Sequence, residues 1–462
     1  MLWLFTWLMR RLLYCLGLSA PVTTLQHPSP AAIVSLAEDG KKRSTRLDEV
    51  LAKCPSLSGP NAWYTPTVWL SSGHLATIYC TTKFNYDHIT YSRELIRVPD
   101  GGTIAVDFAP EITPEQPIDD RPILVVSHGL TGGSHESYVR NILTVVTRPK
   151  EEGGLGWRGA VVNSRGCANT PITSPILYKS APLPGAVTDD LRSALAFISH
   201  FAPKAPLYGI GFSLGANQIA KYVGEEAADS AVKAAISLGA PFDFLKGNVA
   251  LSSSWLRLVY SKAMAINLKT LLKRHEHVFK EHPALDWEAI YANPNATLFE
   301  FDSLVTAPMG GYSTVAAYYR AASASNVIEN VAVPFLSISA LDDPIVDASG
   351  IPFDSASRNP YLTFATTQHG GHLGWFSSFF FPRRWIVRPV VEWLKAVHEA
   401  DPSPRKPRET VPPRKEGGPQ IGDEMVVVKG ETTIGFRRVG EEEHKAEGGE
   451  VIDGAGEMTS GL

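Results

Sequence analysis

The chain has 462 residues, of which 44% are hydrophobic and 19% charged, and its formal net charge is -4. This composition is that of a globular protein with a large core, and the near-neutral charge excludes the basic field of a nucleic-acid-binding protein. The four cysteines are scattered without paired spacing, and there is no His/Cys cluster. The sequence therefore predicts no disulfide framework, no metal site and no cofactor.

The N-terminal segment, residues 1–20, is mostly apolar and aromatic, but Arg10 and Arg11 divide it in the middle. An arginine near the centre of a spanning helix is costly, and a signal peptide would carry its charge first. The pattern favours a helix lying in the membrane interface, and a helix packed on the domain is the alternative. We expect association with a membrane on its cytoplasmic side, at the endoplasmic reticulum or a lipid droplet, with a cytoplasmic location as the alternative.

The regions flanking the centre of the chain have the composition of unfolded segments. Residues 21–60 are rich in Pro, Ser, Lys and Ala, and we interpret them as a linker. From about Asp401 the chain is first proline-rich and charged, then acidic and glycine-rich, so 401–462 is predicted to be a disordered tail. These boundaries leave a folded domain over 61–400.

In that domain, short apolar runs alternate with helical patterns, which indicates an α/β fold with a mostly parallel twisted sheet and helices on both faces. Candidate parallel strands are Ile123–Ser127, Ala160–Asn163, Leu207–Ile210, Ala234–Leu238 and Phe335–Ala340. Candidate helices are Val187–His200, Leu214–Val223 and Tyr312–Ala322. Ser92–Val98 and Thr103–Phe108 are predicted to form an antiparallel hairpin. The helix-prone segment 241–308, here called the cap, is predicted to be inserted between two strands.

The most informative stretch is Tyr208–Ala216, which contains a Gly-x-Ser-x-Gly pattern. The pattern follows an apolar strand and precedes a helix, which is the context that a nucleophilic serine at a sharp turn requires. Gly211 and Gly215 allow the strand and the helix to approach closely around Ser213. Ser213 is therefore the predicted nucleophile.

A serine hydroxyl needs a base, and in this arrangement the base follows the serine in the sequence. Two histidines lie in a glycine-rich loop after the candidate strand Tyr361–Thr366. We favour His372, because Gly370 and Gly371 give it a flexible backbone. His369 is interpreted as a loop residue.

The acid should follow the strand before the histidine loop, where a carboxylate would hold the imidazole in the correct tautomer. Phe335–Ala340 leads into Asp342 and Asp343, which precede Pro344. We favour Asp343, directly before the proline that turns the chain, and keep Asp342 as the alternative. Either aspartate could instead be a turn former.

Two backbone N–H groups are expected to stabilise the oxyanion of a tetrahedral intermediate. One belongs to Leu214, the residue after the nucleophile, and the other to Leu130 in the glycine-rich loop 127–134. His128 in this loop precedes Ser213, the wrong order for a base in this fold, so we interpret it as structural.

Several motifs together resemble the YheT-like α/β-hydrolases, a group that includes fungal medium-chain fatty-acid ethyl ester synthase/esterases and membrane-anchored animal abhydrolases. The motifs are Trp69–Thr77, His128–Ser134, Asn163–Cys167, Gly211–Asn217 and Gly370–Trp375. The resemblance covers about Asn61 to His398. It implies carboxylesterase or monoacylglycerol-lipase activity with Ser213, Asp343 and His372 as the triad, and in some members acyl transfer from acyl-CoA to an alcohol.

The sequence departs from the pattern of this group in two places, the first in the Trp69–Thr77 motif and the second in a pattern connected with acyl transfer. Ala76 stands where a glutamine is often found, and the His-x-x-x-x-Asp pattern proposed for acyltransferase activity in some relatives is absent from the sequence. The second departure weakens the expectation of acyl transfer more than that of hydrolysis.

These features predict a serine hydrolase that acts on medium-chain acyl esters or monoacylglycerols through an acyl-enzyme. The apolar residues of the cap suit such an acyl chain, although each could equally be ordinary packing; they are Phe244, Leu245, Trp255, Leu256, Leu258 and Val259. Two other classes stay open, a non-catalytic lipid-binding receptor on the same fold and a scaffold at a lipid surface.

Overall fold

The structure is a computed structural model that describes residues 12–26, 31–38, 41–81, 87–114, 117–173, 187–378, 380–401, 405, 409–411, 425–440 and 443. Arg10 and Arg11 lie outside these residues, so the prediction of an interfacial helix falls largely on a part of the chain that is not described. No helix within the described ranges combines the length and the apolar character that crossing a bilayer requires.

The strands of three or more residues are β1 (Thr23–Gln26), β2 (Ile33–Glu38), β3 (Lys41–Arg46), β4 (Ser92–Arg97), β5 (Thr103–Ala109), β6 (Ile123–Ser127), β7 (Arg158–Asn163), β8 (Leu207–Phe212), β9 (Val232–Leu238), β10 (Phe335–Ala340), β11 (Leu362–Thr367), β12 (Val426–Val428) and β13 (Gly435–Arg438). The α-helices are α1 (Leu47–Ala52), α2 (Gly73–Cys80), α3 (Ser137–Thr147), α4 (Asp189–Phe201), α5 (Leu214–Glu226), α6 (Phe244–Leu251), α7 (Trp255–Arg274), α8 (Glu276–Phe279), α9 (Trp287–Ala292), α10 (Leu298–Phe301), α11 (Ala307–Met309), α12 (Val315–Ala322) and α13 (Val387–Ala400).

Among the strands given above, the main sheet has the order β12-β13-β4-β5-β7-β6-β8-β9-β10-β11-β1, and the two-residue strand Thr410–Val411 pairs with β12 at its outer side. Strands β7, β6, β8, β9, β10 and β11 are parallel to one another, and β5 pairs antiparallel with β7. Each parallel strand is buried along its whole length, which explains why these strands are mainly apolar and show no alternation of apolar and exposed polar residues. The α/β-hydrolase architecture is confirmed, and the predicted strands begin and end within two residues of the observed ones.

Helices cover both faces of the sheet and leave its carboxyl edge for the loops. On one face, Val139 of α3 and Trp393 of α13 belong to a single apolar cluster with the strands. On the other face, Leu191 of α4 and Ile219 of α5 belong to a second cluster. Helices α6 to α12 lie between β9 and β10, and the cap segment 241–308 contains most of them.

The predicted linker 21–60 differs from the structure. Strand β1 pairs antiparallel with β11 at one edge of the sheet, β2 and β3 form a hairpin, and α1 packs against the core. Leu47, Val50 and Leu51 are buried because their spacing places them on one side of α1. The composition of the whole segment concealed this short amphipathic helix.

The predicted disordered tail 401–462 also differs in part. Strand β13 pairs antiparallel with β4 and so extends the sheet, and β12 pairs with β13. Phe436 is buried and its ring contacts those of Phe197 and His200 on α4. The unpaired edge of β4 gives the backbone N–H and C=O groups of β13 a strand to pair with, so this part of the tail can be ordered although the tail has few apolar residues.

Candidate active site

Ser213 lies at the turn between β8 and α5, in a backbone conformation that non-glycine residues rarely adopt (φ 53°, ψ -118°). The flanking glycines make this turn possible. A Cβ on Gly211 would lie 2.1 Å from the Gly215 carbonyl oxygen, and a Cβ on Gly215 would lie 2.3 Å from the Ser127 carbonyl oxygen. The Gly-x-Ser-x-Gly pattern is therefore a packing requirement at this point of the fold, and it presents Ser213 at the N-terminus of α5.

The three residues predicted as a triad lie in one hydrogen-bonded row. His372 Nε2 is 2.8 Å from Ser213 Oγ, and His372 Nδ1 is 2.8 Å from Asp343 Oδ2. Because a carboxylate only accepts, Nδ1 carries the proton and Nε2 accepts from the serine hydroxyl. His372 and Asp343 are both buried. In this arrangement the imidazole is held in the tautomer that can take a proton from Ser213.

The structure gives the two adjacent aspartates different partners. Asp343 Oδ1 accepts the N–H groups of Ile345 and Val346 at 2.8 and 2.9 Å, which leaves Oδ2 directed at His372. Asp342 instead accepts the Gly371 N–H at 2.8 Å. The carboxylate predicted as the acid contacts the imidazole, and its neighbour holds the backbone of the histidine loop.

His369, the rejected candidate base, also serves the loop rather than the nucleophile. Its Nε2 lies 2.9 Å from the Gly17 carbonyl oxygen and its Nδ1 lies 3.6 Å from Asp342 Oδ2. The neighbouring carboxylate of Asp342 raises the pKa of His369 above its usual value. This side chain therefore joins the N-terminal part of the described chain to the loop.

Helix α2 supports the histidine loop from outside the sheet, and residue patterns alone had not predicted this role. The Thr77 hydroxyl oxygen accepts the His372 N–H at 2.8 Å. A Cβ on Gly73 would lie 1.9 Å from the Asp342 carbonyl oxygen, so only glycine allows α2 to approach this closely. The signal in the sequence was the Trp69–Thr77 motif, which carried a resemblance but no assigned contact.

Leu130 and Leu214, the predicted oxyanion donors, line the same pocket as Ser213. The loop that carries Leu130 is anchored on its far side by Tyr138, whose hydroxyl oxygen accepts the Gly129 N–H at 3.0 Å. Thr131, next to Leu130, has a positive φ of 55°. These contacts fix the loop beside Ser213.

Both ring nitrogens of His128 are hydrogen-bonded to nearby backbone groups, those of Gly129 and Ser164. Its Nδ1 is 2.7 Å from the Gly129 carbonyl oxygen, and its Nε2 accepts the Ser164 N–H at 3.1 Å. Burial lowers the pKa of His128, which keeps the ring neutral and suits one donor and one acceptor nitrogen. These contacts agree with its interpretation as a structural residue.

A buried polar network lies behind the oxyanion loop and had not been predicted. The Asp107 carboxylate accepts hydrogen bonds from Arg93 in a bidentate pair, from the Ser134 hydroxyl at 2.5 Å and from the Asn163 amide at 2.8 Å. Asn163 in turn accepts the Ser134 N–H. The network ties the end of the loop to β5 and β7, and its signals in the sequence were Ser134 and Asn163, which lie in the His128–Ser134 and Asn163–Cys167 motifs.

A pocket opens from Ser213 into the cap and has a volume of about 740 Å³, counting the part open to solvent. Its walls are mainly apolar and include Phe244, Leu251, Met264 and Leu268. The apolar lining is typical of small-molecule sites. Of the cap residues suggested for an acyl chain, Phe244 lines the pocket.

The suggestion is wrong for three other cap residues. Trp255, Leu256 and Val259 are 74%, 40% and 55% exposed, because they project from the outer side of α7. The pocket is formed by Met264 and Leu268 on the opposite side of the same helix. Apolar character alone did not show which side of α7 faces the nucleophile.

One carboxyl group, Asp302, lies in the wall of this pocket within a π-helical segment, Asp302–Thr306. Burial raises its pKa from 3.8 to about 6, although the hydroxyl groups of Thr306 and Tyr319 donate to the carboxylate. A carboxyl group with a raised pKa favours the folded state only while it is protonated.

We therefore expect Asp302→Asn to change how stability depends on pH. The folded protein binds the Asp302 proton more tightly than the unfolded chain, so wild type should lose up to about 3 kcal/mol relative to the variant as the pH rises from about 4 to 7. Urea unfolding of both proteins across this range measures the difference, in which the titration of all other groups cancels. A difference that stays constant with pH would contradict the assignment.

No group of three or more His, Cys, Asp or Glu side chains in the described ranges is arranged to hold a metal ion.

Comparison with known proteins gives the following matches. The model of the α/β-hydrolase fold family matches residues 122–378. The chain is 32% identical over 403 residues to a monoacylglycerol lipase of Saccharomyces cerevisiae, covering 78% of this chain and 86% of the relative. It is 30% identical over 298 residues to the medium-chain fatty acid ethyl ester synthase/esterase 2 of the same yeast, covering 61% and 63%. It is 29% identical over 341 residues to the putative esterase YheT of Escherichia coli, covering 74% and 95%.

Proposed function

Because the chain belongs to the α/β-hydrolase family, in the YheT-like group that its motifs predicted, we propose that it is a serine carboxylester hydrolase acting on lipid esters. In this proposal Ser213 is the nucleophile, His372 the base and Asp343 the acid. The observation that carries it is the continuous hydrogen-bonded row from Asp343 through His372 to Ser213 at the mouth of an apolar pocket.

The geometry suits acyl transfer through a covalent intermediate. Ser213 Oγ attacks the ester carbonyl carbon while His372 Nε2 takes the hydroxyl proton, and the N–H groups of Leu130 and Leu214 stabilise the oxyanion. The imidazolium, stabilised by Asp343, then protonates the departing alcohol as the acyl-enzyme forms. Water, deprotonated by His372, attacks the acyl-enzyme and releases the acid, which restores Ser213.

The substrate class follows from the pocket and from the relatives. Apolar walls, including Phe244 and Met264, favour an acyl chain over a charged group. Relatives are named monoacylglycerol lipase and medium-chain fatty acid ethyl ester synthase/esterase. We propose medium-chain acyl esters or monoacylglycerols as substrates of this chain.

An alcohol could replace water as the acceptor, with acyl-CoA or an ester as the acyl donor. The name of the yeast ester synthase/esterase supports this second reaction, and the absence of the His-x-x-x-x-Asp pattern from the sequence weighs against it. We propose hydrolysis as the main reaction.

We also propose that the protein associates with the cytoplasmic side of a membrane, at the endoplasmic reticulum or a lipid droplet, with a cytoplasmic location as the alternative. The apolar and aromatic residues of 1–20 support this association.

A fluorophosphonate probe tests the function directly. We expect the probe to modify the folded protein at Ser213, as located by peptide mass spectrometry, and to leave the heat-unfolded protein unmodified. In parallel, p-nitrophenyl esters of graded chain length should be hydrolysed with a maximum at medium length. An ethyl ester product that appears only when ethanol is added would establish acyl transfer. A folded protein that neither reacts with the probe nor hydrolyses any ester would favour the lipid-binding receptor.

A further inference from the structure

The outer face of α7, defined here as Trp255, Val259, Lys262, Ile266 and Lys273, carries an unusual set of side chains. Trp255, Val259 and Ile266 are 74%, 55% and 49% exposed. Their spacing of four and seven residues aligns them along one side of the helix, with Lys262 between them and Lys273 two turns beyond. Single exposed apolar residues are common on protein surfaces, but an aligned row that begins with a tryptophan marks an interaction surface.

The helices packed against α7 add further exposed apolar side chains. Val249 on α6 is 69% exposed and Phe299 on α10 is 43% exposed, and both helices contact α7. Tyr260 of α7 is hydrogen-bonded to His74 of α2 at 3.0 Å. Helix α7, which carries the outer face, is therefore connected to α2, the helix that contacts the His372 loop.

The charge of α7 indicates what this face would bind. The helix contains five basic residues and no acidic residue: Arg257, Lys262, Lys269, Lys273 and Arg274. Arg257 pairs with Asp347, Lys273 pairs with Glu276, and the buried Lys269 donates to the Asn293 carbonyl oxygen, so the positive excess that faces solvent comes from Lys262 and Arg274. A helix that combines exposed Trp and aliphatic side chains with an excess of basic residues is typical of contact with an anionic lipid surface.

The inner side of the same helix reaches the candidate active site. Met264 and Leu268 line the pocket that begins at Ser213. We propose that the outer face of α7 docks on a lipid bilayer containing anionic lipids and so holds the pocket next to the source of acyl substrates. The docking itself is independent of the proposed hydrolase function, whereas its benefit for substrate delivery rests on that function.

Vesicle flotation of the full chain tests the proposal. Wild type should bind vesicles of phosphatidylcholine with phosphatidylserine, and Trp255→Ser/Val259→Ser should bind them at least about tenfold more weakly, since two side chains no longer enter the interface. Lys262→Glu should weaken binding to these vesicles but not to vesicles of pure phosphatidylcholine. Ile33→Ser, which removes an aliphatic side chain that is 62% exposed on β2, is the matched control and should bind as wild type does.

Two further measurements separate this proposal from its alternatives. Ser213→Ala should bind vesicles as wild type does, so a failure of the hydrolase function would leave the docking result intact. Hydrolysis of water-soluble p-nitrophenyl butyrate should be unchanged in Trp255→Ser/Val259→Ser, which verifies its fold. Unaltered vesicle binding by that variant would overturn the proposal and assign binding to the N-terminal segment. A change in oligomeric state without a change in vesicle binding would overturn it in favour of a contact between two copies of the chain.

Discussion

Ser213→Ala is expected to lower kcat for a p-nitrophenyl ester by about a million-fold, the size of effect found when the nucleophile of a serine triad is removed. The reason is that alanine has no hydroxyl oxygen to attack the ester carbonyl and accept the acyl group, so no acyl-enzyme can form. The KM should change far less than kcat, because the apolar pocket proposed to bind the acyl chain stays intact. Steady-state kinetics with purified variant, made with fresh chromatography media to avoid carry-over of wild type, provides the measurement.

The double variant Ser213→Ala/His372→Ala makes this test sharper. Because His372 Nε2 lies 2.8 Å from Ser213 Oγ, the two side chains should act as one unit. The kcat of the double variant should then be no lower than that of Ser213→Ala, instead of showing the product of two independent losses. Two losses that multiply, or a Ser213→Ala variant that retains more than about 1% of wild-type kcat, would be incompatible with the proposed mechanism.

The meeting of Ser213, Asp343 and His372 was predictable from the sequence because each of these residues has a local signature. Ser213 lies between two glycines, and the turn requires glycine at both positions because a Cβ atom there would clash with the backbone. The apolar runs before Ser213 and before Asp343 form parallel strands that end at the same edge of the sheet. Such strands bring residues distant in the chain together without any further information. Order along the chain then distinguished His372 from His128.

Contacts made across the fold had no such signature. The Thr77 hydroxyl oxygen accepts the His372 N–H although the two residues are 295 positions apart in the sequence. No periodicity and no known motif indicates that these two residues are in contact. The tail was misjudged for a related reason. Met425, Val428, Ile434 and Phe436 are buried although the tail as a whole is polar, because β13 pairs with the edge of β4 and Phe436 packs on α4. The composition of a segment indicates how much apolar surface it can bury by itself, but it does not indicate whether another strand or helix provides a surface for it to pack against.

The choice between Asp342 and Asp343, left open by the sequence, depends on where each carboxylate points. Asp343 Oδ1 is occupied by the N–H groups of Ile345 and Val346, so an asparagine at 343 would keep its oxygen there and turn its NH2 group towards His372 Nδ1. An amide donor at Nδ1 favours the tautomer with the proton on Nε2, and that nitrogen could then not accept the proton of Ser213.

Asp343→Asn should accordingly lower kcat by about 10⁴-fold with little change in KM, as expected for a triad held in the wrong tautomer. The matched control is Asp342→Asn, in which the amide oxygen can still accept the Gly371 N–H, so that the loss should be less than about tenfold, equivalent to one weakened hydrogen bond. Circular dichroism verifies that both variants are folded, and steady-state kinetics ranks them. The reverse ranking would move the acid to Asp342 and require the histidine loop to rearrange, because Asp342 now contacts the loop through Gly371 and His369 rather than through the imidazole of His372.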